Sequence, residues 1–278
     1  MKKYLLIILA LALIFTLASC GTPATDAPAP EGTPSEKIEL TVFAAASMTE
    51  TLDKIIELYK TAAPNVTVIP TYDSSGTLKT QIEEGADCDL FISAAQKQMN
   101  ALDGSLLGDA DKNPGGLDLI DSNTRLNILE NKVVLVVPEG NPAGISSFSD
   151  LGNASLIALG NSDVPVGSYS LEILGYLGLD ITELEEAGRV TYGSNVKEVT
   201  TQVSEAAVDC GIVYATDAYS AGLTVVDTAG SEMCGQVIYP AAVLKASKNH
   251  EEAKAFLDFL TTGEAIKVFE AVGFSAVK

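Results

Sequence analysis

Apolar and polar positions change period repeatedly along this chain. Residues 37–43 read as a strand, and residues 48–62 then carry Leu52, Ile55, Ile56 and Tyr59 at the i, i+3, i+4, i+7 spacing of one helix face. Pro64 ends that helix. The β-branched run at 66–71 is a second strand, and Asp73-Ser74-Ser75-Gly76 opens a helix that contains Leu78 and Ile82 and closes at Gly85. A short buried strand at 89–93 and a helix at 94–102 follow. This βαβαβ order predicts a parallel sheet with right-handed crossovers. Residues 103–116, rich in Gly, Asp and Asn, read as a surface loop.

A continuous apolar run at 133–137 predicts a central strand. A second α/β series comes after it, with strands at 155–159, 190–192 and 210–214 and helices at 167–177 and 196–208. Strands at 223–227 and 237–245 and helices at 251–260 and 264–272 end the chain. Those two helices have no strands of their own and need a sheet to cover, so the chain is expected to return to its first domain. The reading is two doubly wound α/β domains, residues 38–128 plus 222–278 and residues 129–221, joined by a hinge of two crossings. Ligands of open α/β sheets lie beyond the strand C-termini. Here two such edges would face each other across a cleft.

Composition adds a compartment. Lys2 and Lys3, an apolar run from Tyr4 to Ala18 and a small-residue stretch make residues 1–19 a secretory signal. The run is shorter than the ~20 apolar residues a membrane span needs. It ends Leu17-Ala18-Ser19-Cys20, which resembles the lipobox of bacterial lipoproteins, in which the Cys is acylated. Residues 20–37 are rich in Pro, Thr, Ala and Gly and read as a flexible tether. The picture is a domain held at the outer face of the cell membrane by lipid on Cys20. Net charge is −20, and −22 once Lys2 and Lys3 are lost, which argues against nucleic acid and anionic membrane surfaces. It does not exclude an anionic ligand, because a closed site is governed by local dipoles. Cys88, Cys210 and Cys234 show no zinc spacing and read as small buried thiols, with one disulfide left open.

Five strand-to-helix joints share one grammar: small residues, then a hydroxyl or Asn, then a helix. Ser47 follows Ala44-Ala45-Ala46 and reads alone as a helix cap, with Glu50 at capping-box spacing. The others are Asp73-Ser74-Ser75-Gly76, Val164-Pro165-Val166-Gly167, Ser194-Asn195-Val196 with Glu198, and Tyr214-Ala215-Thr216-Asp217. Two belong to the first domain and three to the second. Each helix N-terminus offers unpaired N–H groups and about half a positive charge. Together they point to one anion held between the domains. Asp73 and Asp217 read as cap or turn residues at these joints. A Ser hydrolase does not fit, because no GxSxG elbow exists and the only His, His250, lies in a surface-type helix.

The motifs TVFAAASM (41–48), SSGTL (74–78), DLFISA (89–94), VPVG (164–167), SNVKEV (194–199), GIVYATDA (211–218) and YPAAV (239–243) resemble, in order, those of the molybdate-binding proteins of ABC-type uptake systems. That family has the type II periplasmic-binding-protein fold. The resemblance covers everything after the tether. It implies a non-enzymatic binder without a cofactor, expected to be a monomer, with an ABC permease transmembrane subunit as partner. The oxyanion would be held by neutral donors only: Ser47 and Ser75 from the first domain, the main-chain N–H groups of Val166 and Val196 and the Tyr214 hydroxyl from the second. Molybdenum would enter only within the oxyanion, with no direct protein ligand. Gly76 stands where some members carry a third Ser, which leaves Ser74 and Ser75 as alternatives. A donor-only site suits a fully deprotonated dianion, whereas phosphate near neutral pH keeps a proton and needs an acceptor. Tungstate is not separable from molybdate by size. Another oxyanion such as sulfate is the alternative ligand.

Overall fold

The computed structural model describes residues 37–277. The expected signal, the expected lipidation site Cys20 and the tether up to residue 36 lie outside the described residues. The first series forms as the periodicity predicts: β1 (Ile38–Ala45), α1 (Thr49–Ala62), β2 (Val66–Asp73), α2 (Ser75–Glu83), β3 (Leu90–Ile92) and α3 (Gln96–Asn100). β1 pairs in parallel with β2 on one side and β3 on the other. That central place explains its unbroken apolar end, Val42 to Ala45, buried on both faces. The α1 stripe Leu52, Ile55, Ile56 and Tyr59 is buried as expected. A Leu or Ile so placed contributes about 1.5–3 kcal/mol by leaving water, so Ile55→Ala should cost about 2–5 kcal/mol.

The sheet is mixed rather than wholly parallel. β4 (Leu126–Asn131), β10 (Val237–Val243) and β11 (Ser275–Ala276) extend it in the order β11-β4-β10-β3-β1-β2, and their pairings are antiparallel. The chain does return here after its second series. α9 (His250–Leu260) and α10 (Gly263–Glu270) cover the sheet on the α1 side, where Tyr59 meets Phe256 and Phe259 at ring-centroid distances of 4.8 and 5.0 Å. Leu78, Ile82, Phe91, Met99 and Leu102 fill the opposite side beneath α2 and α3. The loop at 103–116 is tied down by Asn113, whose amide donates to the carbonyls of Asp103 and Leu117. Burial opposes ionisation of Asp103, but hydrogen bonds from Ser122, Ser105 and Arg125 outweigh it and hold the carboxyl down at about 2.

The second sheet has the order β7-β6-β8-β5-β9, from β5 (Val133–Val137), β6 (Ile157–Gly160), β7 (Val190–Gly193), β8 (Cys210–Tyr214) and β9 (Thr224–Thr228). α4 (Pro165–Tyr176), α5 (Ile181–Glu186), α6 (Val196–Ser204) and α7 (Ala215–Ser220) accompany it. Each sheet with its helices is called a lobe below. Two expected boundaries move. β4 belongs to the first sheet, so the first crossing falls at Lys132 rather than before residue 129. β9 pairs with β5 through Thr228 and Val134, so the return falls in residues 229–236, which include α8 (Ser231–Cys234), rather than at 222. Cys88, Cys210 and Cys234 are free and buried. Among the described residues no helix is long and apolar enough to cross a membrane.

Candidate functional site

The C-terminal ends of β1, β2, β6 and β8 meet where the lobes face each other, around a small, tightly closed cavity. The first lobe supplies Ala45, Ala46, Ser47, Asp73, Ser74, Ser75 and Ala94; the second supplies Val164, Pro165, Val196 and Tyr214. Of the five expected contact residues, Ser47, Ser75, Val196 and Tyr214 therefore share one wall. Val166 lies one residue deeper in α4, fully buried.

The hydroxyls of the first lobe differ from the capping pattern. Ser47 caps nothing: it lies in a 3-10 turn, Ala46–Met48, and α1 begins after Met48 without a side-chain cap. The small residues Ala44 to Ala46 keep β1 tightly packed until its last residue, so the chain turns before the helix and carries Ser47 inward. Its Oγ instead lies 2.9 Å from the Tyr239 hydroxyl. Ser74 and Ser75 divide the work. Ser74 is the cap of α2, its Oγ accepting from the Thr77 N–H at 3.0 Å. Ser75 Oγ accepts from the Ala94 N–H at 2.9 Å, which leaves its own proton to donate.

In the second lobe the helix N-termini are close against the sheet. A Cβ on Gly167 would stand 2.4 Å from the carbonyl oxygens of Gly160 and Asn161, so glycine lets α4 start directly on β6. Val164 donates to Asn161, Pro165 has no N–H, and Val166, second in the helix, has the first N–H of α4 with no intrahelical acceptor. Val196 is first in α6, which Asn195 caps by accepting from the Glu198 N–H at 3.1 Å. The Glu198 carboxylate accepts from the N–H of Ser194, the residue before the cap, at 2.7 Å. Tyr214 is 1% exposed, and its hydroxyl has no hydrogen-bond partner among the described residues. Burial, then the neighbouring Tyr239, Tyr169 and Asp217, push its ionisation far up, so the phenol keeps its proton.

Among the described residues no Arg or Lys lines the wall. Arg125 pairs with Asp103 at 2.6 Å, and Arg189 donates to the carbonyls of Leu151, Gly152 and Ala154. His250 meets Asp121 at 3.1 Å on α9. Asp73 is spent on a turn, accepting from the Ser74 N–H at 2.7 Å. Asp217 is not a cap: it is fully buried, and neither carboxylate oxygen makes a hydrogen bond among the described residues. The Lys197 ammonium stands 3.4 Å away, an ion-pair distance without hydrogen-bond geometry. Burial pushes the Asp217 carboxyl up to about 7 against the pull of Lys197.

Polar contacts also join the lobes beside the cavity. The Gly76 N–H of α2 donates to the Asp163 carbonyl at 3.0 Å, and Lys197 of α6 reaches Glu50 of α1 at 2.8 Å.

Residues 40–275 match the family described as bacterial extracellular solute-binding protein. The chain belongs to that family. Solute-binding proteins of this kind serve transport rather than catalysis. A curated relative from Bacillus subtilis, named "Putative ABC transporter substrate-binding lipoprotein YvgL", is 35% identical over 99% of each chain. The molybdate-binding protein ModA of Escherichia coli is 34% identical over 85% of this chain and 89% of its own. A solved structure titled "substrate binding domain of putative molybdenum ABC transporter", from Clostridium difficile, is 35% identical with a TM-score of 0.64, covering 87% of this chain and 100% of that one. The motif resemblance to molybdate-binding proteins and the two-lobed α/β fold are both borne out. As a solute-binding protein the chain works outside the cytoplasm with an ABC transporter. Sequence reasoning missed Tyr239, Asn131, Lys197 and Asp163 at this site. Only YPAAV carried a sign, a Pro inside an apparent central strand, which normally marks an irregularity.

Proposed function

We propose that this solute-binding protein captures molybdate, and equally tungstate, between its lobes through neutral donors and delivers it to an ABC permease. One observation carries the reading: the buried residues Ser47, Ser75 and Tyr214 line one cavity, and the Tyr214 hydroxyl has no partner among the described residues. A buried unpaired hydroxyl costs about 1–3 kcal/mol, a cost that an oxyanion accepting its proton removes. The N-termini of α2, α4 and α6 add a favourable field of about 0.3–1 kcal/mol each, up to ~2 where buried. Hydrogen bonds to the charged ligand contribute about 1.5–3 kcal/mol apiece. Val166 and Val196 supply main-chain N–H groups, so their side chains matter only for packing. Between the alternatives Ser74 and Ser75, the cap on Thr77 favours Ser75 as the ligand donor.

The ligand stays fully coordinated by its own oxygens, with no protein atom on the metal, no cofactor and no chemical step. Closing around the ion shifts the population toward a surface that the permease reads. The Leu17-Ala18-Ser19-Cys20 sequence and a relative named as a lipoprotein support anchoring through Cys20 at the outer face of the cell membrane, the protein acting as a monomer.

Calorimetric titration of the purified protein with molybdate, tungstate, sulfate and phosphate tests this. Molybdate and tungstate should bind alike and phosphate poorly. Donors on two lobes spaced for the larger ions are left underpaired around sulfate, which is costly. Sulfate binding as tightly as molybdate would favour the alternative reading, a binder of another oxyanion.

A further inference from the structure

Ser47 does not stand alone at the cavity. Its Oγ meets the Tyr239 hydroxyl at 2.9 Å, and that hydroxyl is also 3.1 Å from Asn131 Nδ2. Tyr239 is 0% exposed and Asn131 3% exposed, so water does not compete for either. The amide of Asn131 can only donate from Nδ2, so the Tyr239 oxygen accepts there. Its own proton then has one acceptor within reach, Ser47 Oγ. Burial, opposed in part by those two hydrogen bonds, raises the phenol far above its ordinary range, so the proton is always present. Ser47 consequently accepts from behind and keeps its proton for the cavity. Asn131 cannot turn its amide around. Its Oδ1 takes the Lys132 N–H at 2.8 Å, and Nδ2 also donates to Thr216 Oγ1 of α7 at 2.9 Å.

The backbone explains how Tyr239 comes to face this way. Pro240 cannot donate to a ladder, and the β10–β4 register slips between Tyr239 and Pro240. Such an irregularity re-aims the side chain beside it. Asn131 is the last residue of β4, next to the crossing at Lys132, and touches α7 of the second lobe as well as Tyr239 of the first.

We propose that Tyr239 and Asn131 are positioning residues that make Ser47 an obligate hydrogen-bond donor to the captured oxyanion. The chain runs one way, from the Asn131 amide at the crossing through the Tyr239 phenol to Ser47. Neither Tyr239 nor Asn131 lines the cavity wall, and Tyr239→Phe keeps its ring against Tyr214, so what the loss of its hydroxyl does to affinity passes through Ser47. The inference rests on the oxyanion reading above.

A double-mutant cycle on the full-length protein, titrated with molybdate by calorimetry, tests it. Ser47→Ala should weaken binding about ten- to hundred-fold, the loss of one charge-assisted donor. Tyr239→Phe keeps the ring contacts with Tyr214 and Phe274 and should weaken binding about three- to ten-fold. In the Ser47→Ala background, Tyr239→Phe should have no further effect. A purely structural role would lower both backgrounds by the same factor, and that result overturns the proposal. So does Tyr239→Phe binding like wild type. Asn131→Ala should weaken binding less in the Ser47→Ala background than in wild type, the remainder reporting its separate bond to Thr216 of α7, read against anion-free thermal melts that report folding. If wild type fails to bind molybdate, or Ser47→Ala binds like wild type, the oxyanion reading falls and this inference with it. If both behave as expected and the cycle is additive, only the inference falls.

Discussion

Gly76→Ala separates ligand capture from folding more cleanly than any change to a donor. Gly76 is the second residue of α2 and gives its N–H to the Asp163 carbonyl of the other lobe at 3.0 Å. A Cβ on Gly76 would lie 2.2 Å from that oxygen and 2.8 Å from the carbonyl carbon. Both are backbone atoms, so no side chain can swing aside. Restoring a tolerable contact of 3.0 Å moves the lobes apart by about 0.8 Å here, stretching N···O to about 3.8 Å, beyond hydrogen-bond range. That hydrogen bond is worth about 0.5–1.5 kcal/mol, and one charge-assisted donor pulled out of reach of the anion adds about 1.5–3 kcal/mol. The sum, about 2–4.5 kcal/mol, corresponds to about 30- to 1,600-fold weaker binding. Folding should not suffer. Ala is favoured over Gly within a helix by roughly 0.5–1 kcal/mol, and the clash is relieved simply by opening. Calorimetry with molybdate and thermal melts without anion measure the two effects. The expected result is a large loss of affinity with a melting temperature within about 2 °C of wild type. A variant that binds within about twofold of wild type would refute closure through this contact.

Tyr214→Phe should raise anion-free stability by about 1–3 kcal/mol, because it deletes an unpaired buried hydroxyl, while lowering molybdate affinity; denaturant unfolding with and without the anion reads both signs. Asp217 titrates near 7 in the folded protein and near ~3.9 in the unfolded chain, so the folded state holds the extra proton between those values. Stability should therefore fall as pH rises from about 4 to about 7, by up to ~4 kcal/mol, and level off above. Asp217→Asn should flatten that slope in melts across the range, and an unchanged slope would discount Asp217. Glu50→Gln removes the cross-cleft partner of Lys197 at a half-exposed pair and should weaken binding only about two- to fivefold. That loss should disappear near 1 M salt, where screening acts within about 3 Å.

The parts of this fold legible in the sequence are those set by local pattern. The α1 stripe, the cap of α6 by Asn195 and Glu198, and the return of the last two helices to the first sheet needed only periodicity and the need to bury an apolar face. β4 was invisible because Leu126–Asn131 is half exposed and runs into β5 across the single residue Lys132. The place of β9 in the second sheet is not legible, because strand partners far apart in sequence leave no mark on either segment. The site follows the same divide. Joint by joint, Ser47, Ser75, Val196 and Tyr214 announce themselves as small or polar residues before helices. Their motifs resemble a known family, and all four do share one cavity. What Ser47 bonds to was not legible. Its local spacing to Glu50 imitates a capping box, yet Glu50 is drawn away by Lys197 and Ser47 by Tyr239, partners 147 and 192 residues distant.

The acidity of the whole chain and the proposed capture of a dianion are compatible because they act at different ranges. At physiological salt a surface charge is screened within about 8 Å, so the −20 spread over the chain does not set the potential inside the cavity. Inside the cavity the field comes from the α2, α4 and α6 N-termini and three hydroxyl protons. The two nearby carboxylates are muted in different ways. Asp73 accepts a backbone N–H in its own turn, and Asp217 sits fully buried, facing Lys197, with its ionisation pushed up to about 7. A Lys or Arg on the cavity wall would strengthen attraction for any anion alike. Neutral donors fixed by packing reward only an ion whose oxygens reach all of them. Specificity by geometry therefore requires donors that cannot reorient, and the Asn131–Tyr239–Ser47 chain supplies that rigidity on the first-lobe side of the cavity.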